Sequence, residues 1–224
     1  MELSQYLALL GLWIAGIAAP GPDVLVILRS SSLGSRRAGV LTAVGVMTGN
    51  LLWITLSLTG VTVLIGQDGT VQRVLQVAGA LFLGWLGVGG VRAGLAARTR
   101  VPAGARTGSA DGAGAGLPQS SPGRAPTPAR AFGLGLVTNL SNPKAIVFFV
   151  ALFANVVPAG ARWWESLFVL VLLLAVGLAW FTAVAWTGSV ERLAAGFRRR
   201  GAAVELGSGA LFLALAVGLL VGAL

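Results

Sequence analysis

The sequence predicts an all-α integral membrane protein. Six transmembrane helices form two inverted three-helix repeats, and the first helix of each repeat is broken at proline. Three observations predict this. The 224 residues are 56% hydrophobic and only 10% charged, with a mean hydropathy of +0.86, whereas ordinary globular domains are about a quarter charged. Several uncharged runs exceed roughly 18 residues, long enough to cross a bilayer. The same plan then occurs twice: an apolar segment interrupted by proline and an ionisable residue, Pro22-Asp23 and Pro143-Lys144, followed by two further apolar runs.

The first span runs from about Leu3 to Leu33. Glu2 is the only charge before Asp23, and neither a basic leader nor a small-x-small cleavage site is legible, so the segment reads as retained. Ala19-Pro20-Gly21-Pro22-Asp23 interrupts it. Proline lacks a backbone donor and clashes with the preceding turn. In a membrane, freed backbone is tolerated only where it is buried in protein or lines a cavity. A carboxylate at that depth marks a site hypothesis.

The second span, about Ala38 to Ile65, carries Gly45 and Gly49, a small-xxx-small pair that admits another helix at close range. Asn50 is a buried amide in need of partners on another helix. Thr48, Thr55 and Thr59 are expected to bond their own helix carbonyls. Gly66-Gln67-Asp68-Gly69 reads as a turn. The third span, about Val71 to Arg92, is thinned for packing by Gly79, Gly84, Gly87 and Gly89.

From 98 to 130 the composition changes. Five of the nine prolines fall here, with no aromatic residue, so the segment is expected to be a disordered cytoplasmic linker of Pro, Gly, Ala and Arg. It divides the chain into a first repeat, 1–97, and a second, 131–224. The fourth span, about Ala131 to Val156, contains Asn139-Leu140-Ser141-Asn142-Pro143-Lys144. Pro158-Ala159-Gly160 turns the chain, and Trp163 and Trp164 suit a membrane interface. The fifth span covers about Ser166 to Val190, with Glu165 and Glu191 at its ends facing water. Arg192 and Arg198-Arg199-Arg200 fill the next loop, and the sixth span is Ala203 to Leu224.

Basic residues set the orientation. Three lie between spans one and two, six between three and four, and four between five and six, against two on the opposite side. Basic loops stay cytoplasmic, which places both termini outside. The formal charge of +9 is thus a topology signal, and nucleic-acid binding is set aside. With no cysteine and no histidine, thiol chemistry, imidazole-ligated metal and a histidine-based triad are excluded. No nucleophile-base pair for an enzyme and no cofactor site are legible.

Because each half has three spans, the halves enter the membrane in opposite orientation. Inverted repeats with discontinuous first helices are a transporter pattern, with substrate at the midplane between them. Each helix restarting after a break has proline near its first position, so two positive helix ends converge. The candidate binding residues are Pro20, Gly21, Pro22, Asp23, Asn50, Asn139, Asn142, Pro143 and Lys144. Lys144 and the helix ends would receive a carboxylate, Asp23 an ammonium group or a coupling proton, and the three asparagines neutral hydrogen bonds. Each charge costs on the order of 3 kcal/mol at a helix centre. A structural ion pair between Asp23 and Lys144 would offset that cost equally well.

With these residues assembled, the chain resembles the LysE/RhtB family of bacterial amino-acid exporters. The resemblance rests on Pro20-Gly21-Pro22-Asp23, on Gly34/Arg37/Gly39…Gly45…Gly49, on Ala78-Gly79-Ala80-Leu81-Phe82-Leu83-Gly84-Trp85-Leu86-Gly87, and on Phe132-Gly133…Thr138-Asn139…Asn142-Pro143-Lys144. It implies an inner-membrane exporter of amino acids or related small zwitterions, driven by the proton-motive force. Its partners would be the amino acid, protons and lipid, with homo-oligomerisation left open. The last two spans carry little of the signature, so no site residue is transferred there, and the linker looks longer than the family's. The alternative is an exporter of divalent metal or another ion, which has only Asp23 to offer at depth. A membrane scaffold would not require a charged break in each half.

Overall fold

The computed structural model describes residues 1–19, 21–65, 69–99, 126–157 and 161–223. Among them every regular element is an α-helix. Helices α1 (Leu3–Ala18) and α2 (Pro22–Leu33) form one apolar stretch bent by 53°. The break falls where the two prolines and glycine predict it. Four further helices contain segments long and apolar enough to cross a membrane: Arg36–Gly60 in α3 (Arg36–Ile65), Gln76–Arg98 in α4 (Gly69–Thr99), Trp163–Gly188, which is α7, and Arg200–Val221 in α8 (Glu191–Ala223). Between them lie α5 (Pro128–Leu140) and α6 (Pro143–Val156), of 13 and 14 residues. At 1.5 Å per residue each is about 20 Å long, too short for a 30 Å hydrocarbon core.

Local chemistry sets the helix ends. Thr127 caps α5, its side chain accepting from the Arg130 amide at 3.4 Å, and Pro128 occupies the first helical turn. Glu165 caps α7 through the Arg162 amide at 2.8 Å and also holds the Met1 ammonium. It therefore ties α1 to α7 while staying partly exposed, a role that facing water alone does not describe. The Glu191 side chain, the turn at 66–68 and the linker from 100 to 125 lie outside the described residues, whereas Arg98 is still in α4 and Arg130 already in α5. A second correction concerns Arg192 and Arg198-Arg199-Arg200, expected in a loop. Their backbone is the first part of α8, because leucine and alanine between them favour helix and no proline stops it.

Glycines decide where helices meet. A Cβ on Gly45 of α3 would lie 2.9 Å from the Leu136 amide of α5, and one on Gly135 of α5 would lie 2.9 Å from the Thr42 carbonyl carbon of α3. Each helix thus fits into a notch of the other, and Thr42 Oγ1 spans the crossing to the Ala131 carbonyl at 3.1 Å. On α4, Gly87 faces the Gly209 carbonyl of α8, where a Cβ would come within 2.8 Å, and Gly79 faces Ala151 of α6. Gly84 makes ordinary contact. Gly89 differs from the packing role expected for it: a Cβ there would meet nothing within 4 Å.

The core is aromatic and aliphatic. Trp13, Phe148, Phe149, Phe153, Phe181 and Phe212 are buried, with the Trp13 and Phe149 rings 5.2 Å apart. Leu25, Leu56, Trp85, Val171 and Val217 are exposed on the outside of the bundle. Trp163 and Trp164 are also exposed, at the start of α7, with Arg162 over the Trp164 ring at 5.0 Å. An apolar exterior on several spanning helices is that of a multi-pass membrane protein.

Candidate functional site

Both helix breaks open onto one cavity. At the first, Gly21 is extended and caps α2, Pro22 takes the first helical position and Asp23 follows it. At the second, Asn142 caps α6 through its own side chain, Oδ1 accepting from the Lys144 amide at 3.1 Å, and Pro143 again opens the helix. The sequence folds this way because proline needs no backbone partner in a first turn and because asparagine can supply the acceptor that an orphan amide lacks. The order cap, proline, charged residue is the same at both sites: Gly21-Pro22-Asp23 and Asn142-Pro143-Lys144.

The cavity, of about 50 Å³, is lined by Gly21, Pro22, Asp23, Asn50, Asn142 and Lys144 together with aromatic walls. Among the described residues the ion pair within reach is that of Met1 with Glu165. Asp23 and Lys144 therefore share the cavity without touching. The two charges meet their helix ends differently. A carboxylate at the start of α2 suits the positive end of the helix dipole, whereas an ammonium at the start of α6 sits at the unfavourable end. An anion beside Lys144 would relieve that mismatch.

Asn139 works one layer behind. Its Nδ2 donates to Asp23 Oδ2 at 3.0 Å and to Asn50 Oδ1 at 2.9 Å, so three sequence-predicted residues on α2, α3 and α5 form one network. Asn50 thereby obtains the interhelical partner its burial demands. Oδ1 of Asp23 and Oδ1 of Asn139 are buried with no donor among the described residues. Pro20 lies outside the described residues, as does the Pro143 side chain. Thr48, Thr55 and Thr59 bond their own helix, to Val44, Leu51 and Thr55.

Sequence reasoning missed the aromatic walls, Trp13, Phe148, Phe149 and Phe181. One signal was present for Phe148, which lies one helical turn beyond Lys144 and so on the same face. Trp13 Nε1 donates to the Leu173 carbonyl at 3.0 Å. Trp180 Nε1 donates to the Ile17 carbonyl at 3.0 Å, satisfying an acceptor that the break in α1 leaves without its usual partner.

Comparison with known proteins finds relatives over most of the chain. The chain is 29% identical over 212 residues to a threonine efflux protein of Salmonella typhi, covering 93% of each chain. It is 26% identical over 223 residues to the threonine efflux protein of Escherichia coli strain K12, covering 98% of each. A leucine efflux protein of Klebsiella pneumoniae is 30% identical over 146 residues, 65% of this chain and 60% of that one. No solved structure matches. A family model for the LysE type translocator matches residues 14–223, and the chain belongs to that family of membrane transporters.

Proposed function

We propose that this protein exports amino acids or closely related zwitterions by alternating access around Asp23 and Lys144. The carrying observation is the placement of one carboxylate and one ammonium, unpaired with each other, on a single cavity at two proline-opened helix starts. A zwitterion carries the complementary pair. Its carboxylate would sit between Lys144 and the start of α6, and its ammonium would answer Asp23, whose Oδ1 has no donor among the described residues. The relatives named as threonine and leucine efflux proteins support the same substrate class.

The finer organisation follows from the same reading. Residues 1–97 and 131–224 are the two inverted repeats. The pair α5 and α6 forms the fourth span, matching α1 and α2 as the first. Two pairs of contacts support this, α3 against α6 as α2 against α7 and α2 against α5 as α1 against α6, whereas among the described residues the packing of α2 on α3 and of α4 on α6 is not matched between α6 and α7 or between α2 and α8. The excess of basic residues on one side supports a reading with both termini outside the bacterial inner membrane. Asp23 is the proton-coupling candidate, since a carboxylate exchanging an ammonium for a proton links export to the proton-motive force. Among the described residues no three His, Cys, Asp or Glu side chains come together, so the divalent-cation reading has no donor set to support it.

The test is export from cells fed a panel of dipeptides, with extracellular amino acids quantified by mass spectrometry. The expected result is accumulation of one group of amino acids outside, abolished by Asp23→Asn and by Lys144→Ala. Export unchanged in both variants assigns the charged breaks to structure alone. Export surviving in Asp23→Asn with its pH dependence intact removes the coupling role.

A further inference from the structure

A second cavity lies on the flank where α4 meets α8. It measures about 310 Å³ and is lined by Gly89 and Arg92 of α4, Glu205 and Ser208 of α8, and by Ala19 and Lys144, which also line the cavity at the breaks. Its size falls within the roughly 300–1,000 Å³ of small-molecule sites and exceeds the 50 Å³ of the central cavity at Asp23. Arg92 and Glu205 stand at one level, since Gly90 abuts the Glu205 carbonyl with 3.1 Å left for a Cβ. They form no ion pair with each other. Three charged residues on one cavity, Arg92 of α4, Glu205 of α8 and Lys144 of α6, call for water, not lipid, as its filling. The missing side chain of Gly89 belongs to this cavity, which accounts for a glycine that packs against nothing.

We infer that the α4–α8 cavity is the vestibule through which a zwitterionic amino acid reaches the central site. Arg92 takes its carboxylate, Glu205 its ammonium, and Lys144, facing both cavities, receives the carboxylate as the molecule passes inward. The inference rests on the export reading for its ligand. Arg92 lies toward the end of α4 that leads into the basic segment, and Glu205 toward the start of the apolar span Arg200–Val221 of α8, so by the charge rule the vestibule opens to the cytoplasm, the side from which an exporter loads. The lining carries two cations against one anion, which favours a ligand led by its carboxylate.

The chain has no cysteine, which permits a direct test. In Gly89→Cys the thiol enters open space. A charged, membrane-impermeant thiol reagent is expected to modify it in everted membrane vesicles and not in right-side-out ones. Gly218→Cys, which also meets nothing within 4 Å but lines neither cavity, stays unmodified. In transport assays Arg92→Gln and Glu205→Gln each raise the KM for the exported amino acid about tenfold or more, the loss of one charge-assisted bond, with kcat changing less. Gly89→Cys inert from both sides overturns the vestibule, whatever the protein exports. Unchanged KM in both charge variants, with export intact, overturns the role of Arg92 and Glu205. Modification of Gly89→Cys with no export by the unmodified protein would remove the export reading and leave a water-filled vestibule standing.

Discussion

Asn139 of α5 donates to the carboxylate of Asp23 at the start of α2, 3.0 Å away. The same nitrogen serves Asn50 of α3, so a single amide group sets the positions of three helices around the break. In a low-dielectric interior a half-satisfied network is costly. Asn139→Ala leaves Asn50 Oδ1 and Asp23 Oδ2 without their donor and should cost about 1–3 kcal/mol of stability. Asn50→Ala should cost less, since Asp23 keeps its bond. The double variant should fall short of the sum of the two by at least about 0.5 kcal/mol. Thermal unfolding of the four proteins in detergent checks the cycle, and strict additivity would show that the network is not coupled.

The α3–α5 crossing makes a sharper prediction. Gly135→Val places a side chain against the Thr42 carbonyl and the Val46 amide, and backbone on the facing helix cannot give way as a side chain can. The variant should fail to assemble, read as loss of folded protein at normal synthesis. Gly60→Val, where nothing lies within 4 Å, should keep its folded yield despite the weaker helix propensity of valine.

Much of this was legible from residue chemistry. Pro22 and Pro143 located both breaks, because proline limits backbone geometry by itself and needs no tertiary context. Gly45 announces a close crossing, although the identity of the backbone it meets, Phe132 and Leu136 of α5, depends on a contact between distant parts of the chain. Arg198-Arg199-Arg200 misled for an instructive reason. A run of charge was read as loop, but arginine is a good helix former, and charge at the end of a span extends the helix past the membrane as readily as it stops it. Trp180 carried no signal for its bond to Ile17, since which orphan carbonyl it meets is decided by how α7 lies along α1.

That bond supplies a third prediction. Trp180→Phe preserves most of the buried ring but leaves the Ile17 carbonyl, which Trp180 Nε1 reaches at 3.0 Å, without a donor beside the break. Loss of a bond of this kind costs about 1–3 kcal/mol when the acceptor stays buried. The break should loosen locally, read as faster amide hydrogen exchange in α1 near Ile17 than in the parent. Trp13→Phe removes the bond to Leu173, whose carbonyl lies within α7 and keeps its helical partner, so the effect on exchange there should be smaller.

The wall of the central cavity supplies the fourth. A Cβ on Gly16 would lie 2.8 Å from Cζ of Phe148, and Phe148 is itself held edge-on by Phe149 and Phe212, with ring centroids 5.5 Å and 6.2 Å away. Gly16→Ala gains helix propensity of about 1 kcal/mol and loses a comparable amount in displacing the ring, so thermal stability should change little. Gly11→Ala on the same helix, where nothing lies within 4 Å, should gain stability without penalty. Because Phe148 lines the cavity beside Lys144, the displaced ring narrows the site, and Gly16→Ala should slow export while Gly11→Ala leaves it unchanged. Adding Phe148→Leu to Gly16→Ala returns the lost volume and should restore part of the rate. If the double variant exports no faster than Gly16→Ala alone, the ring is not what the methyl group displaces.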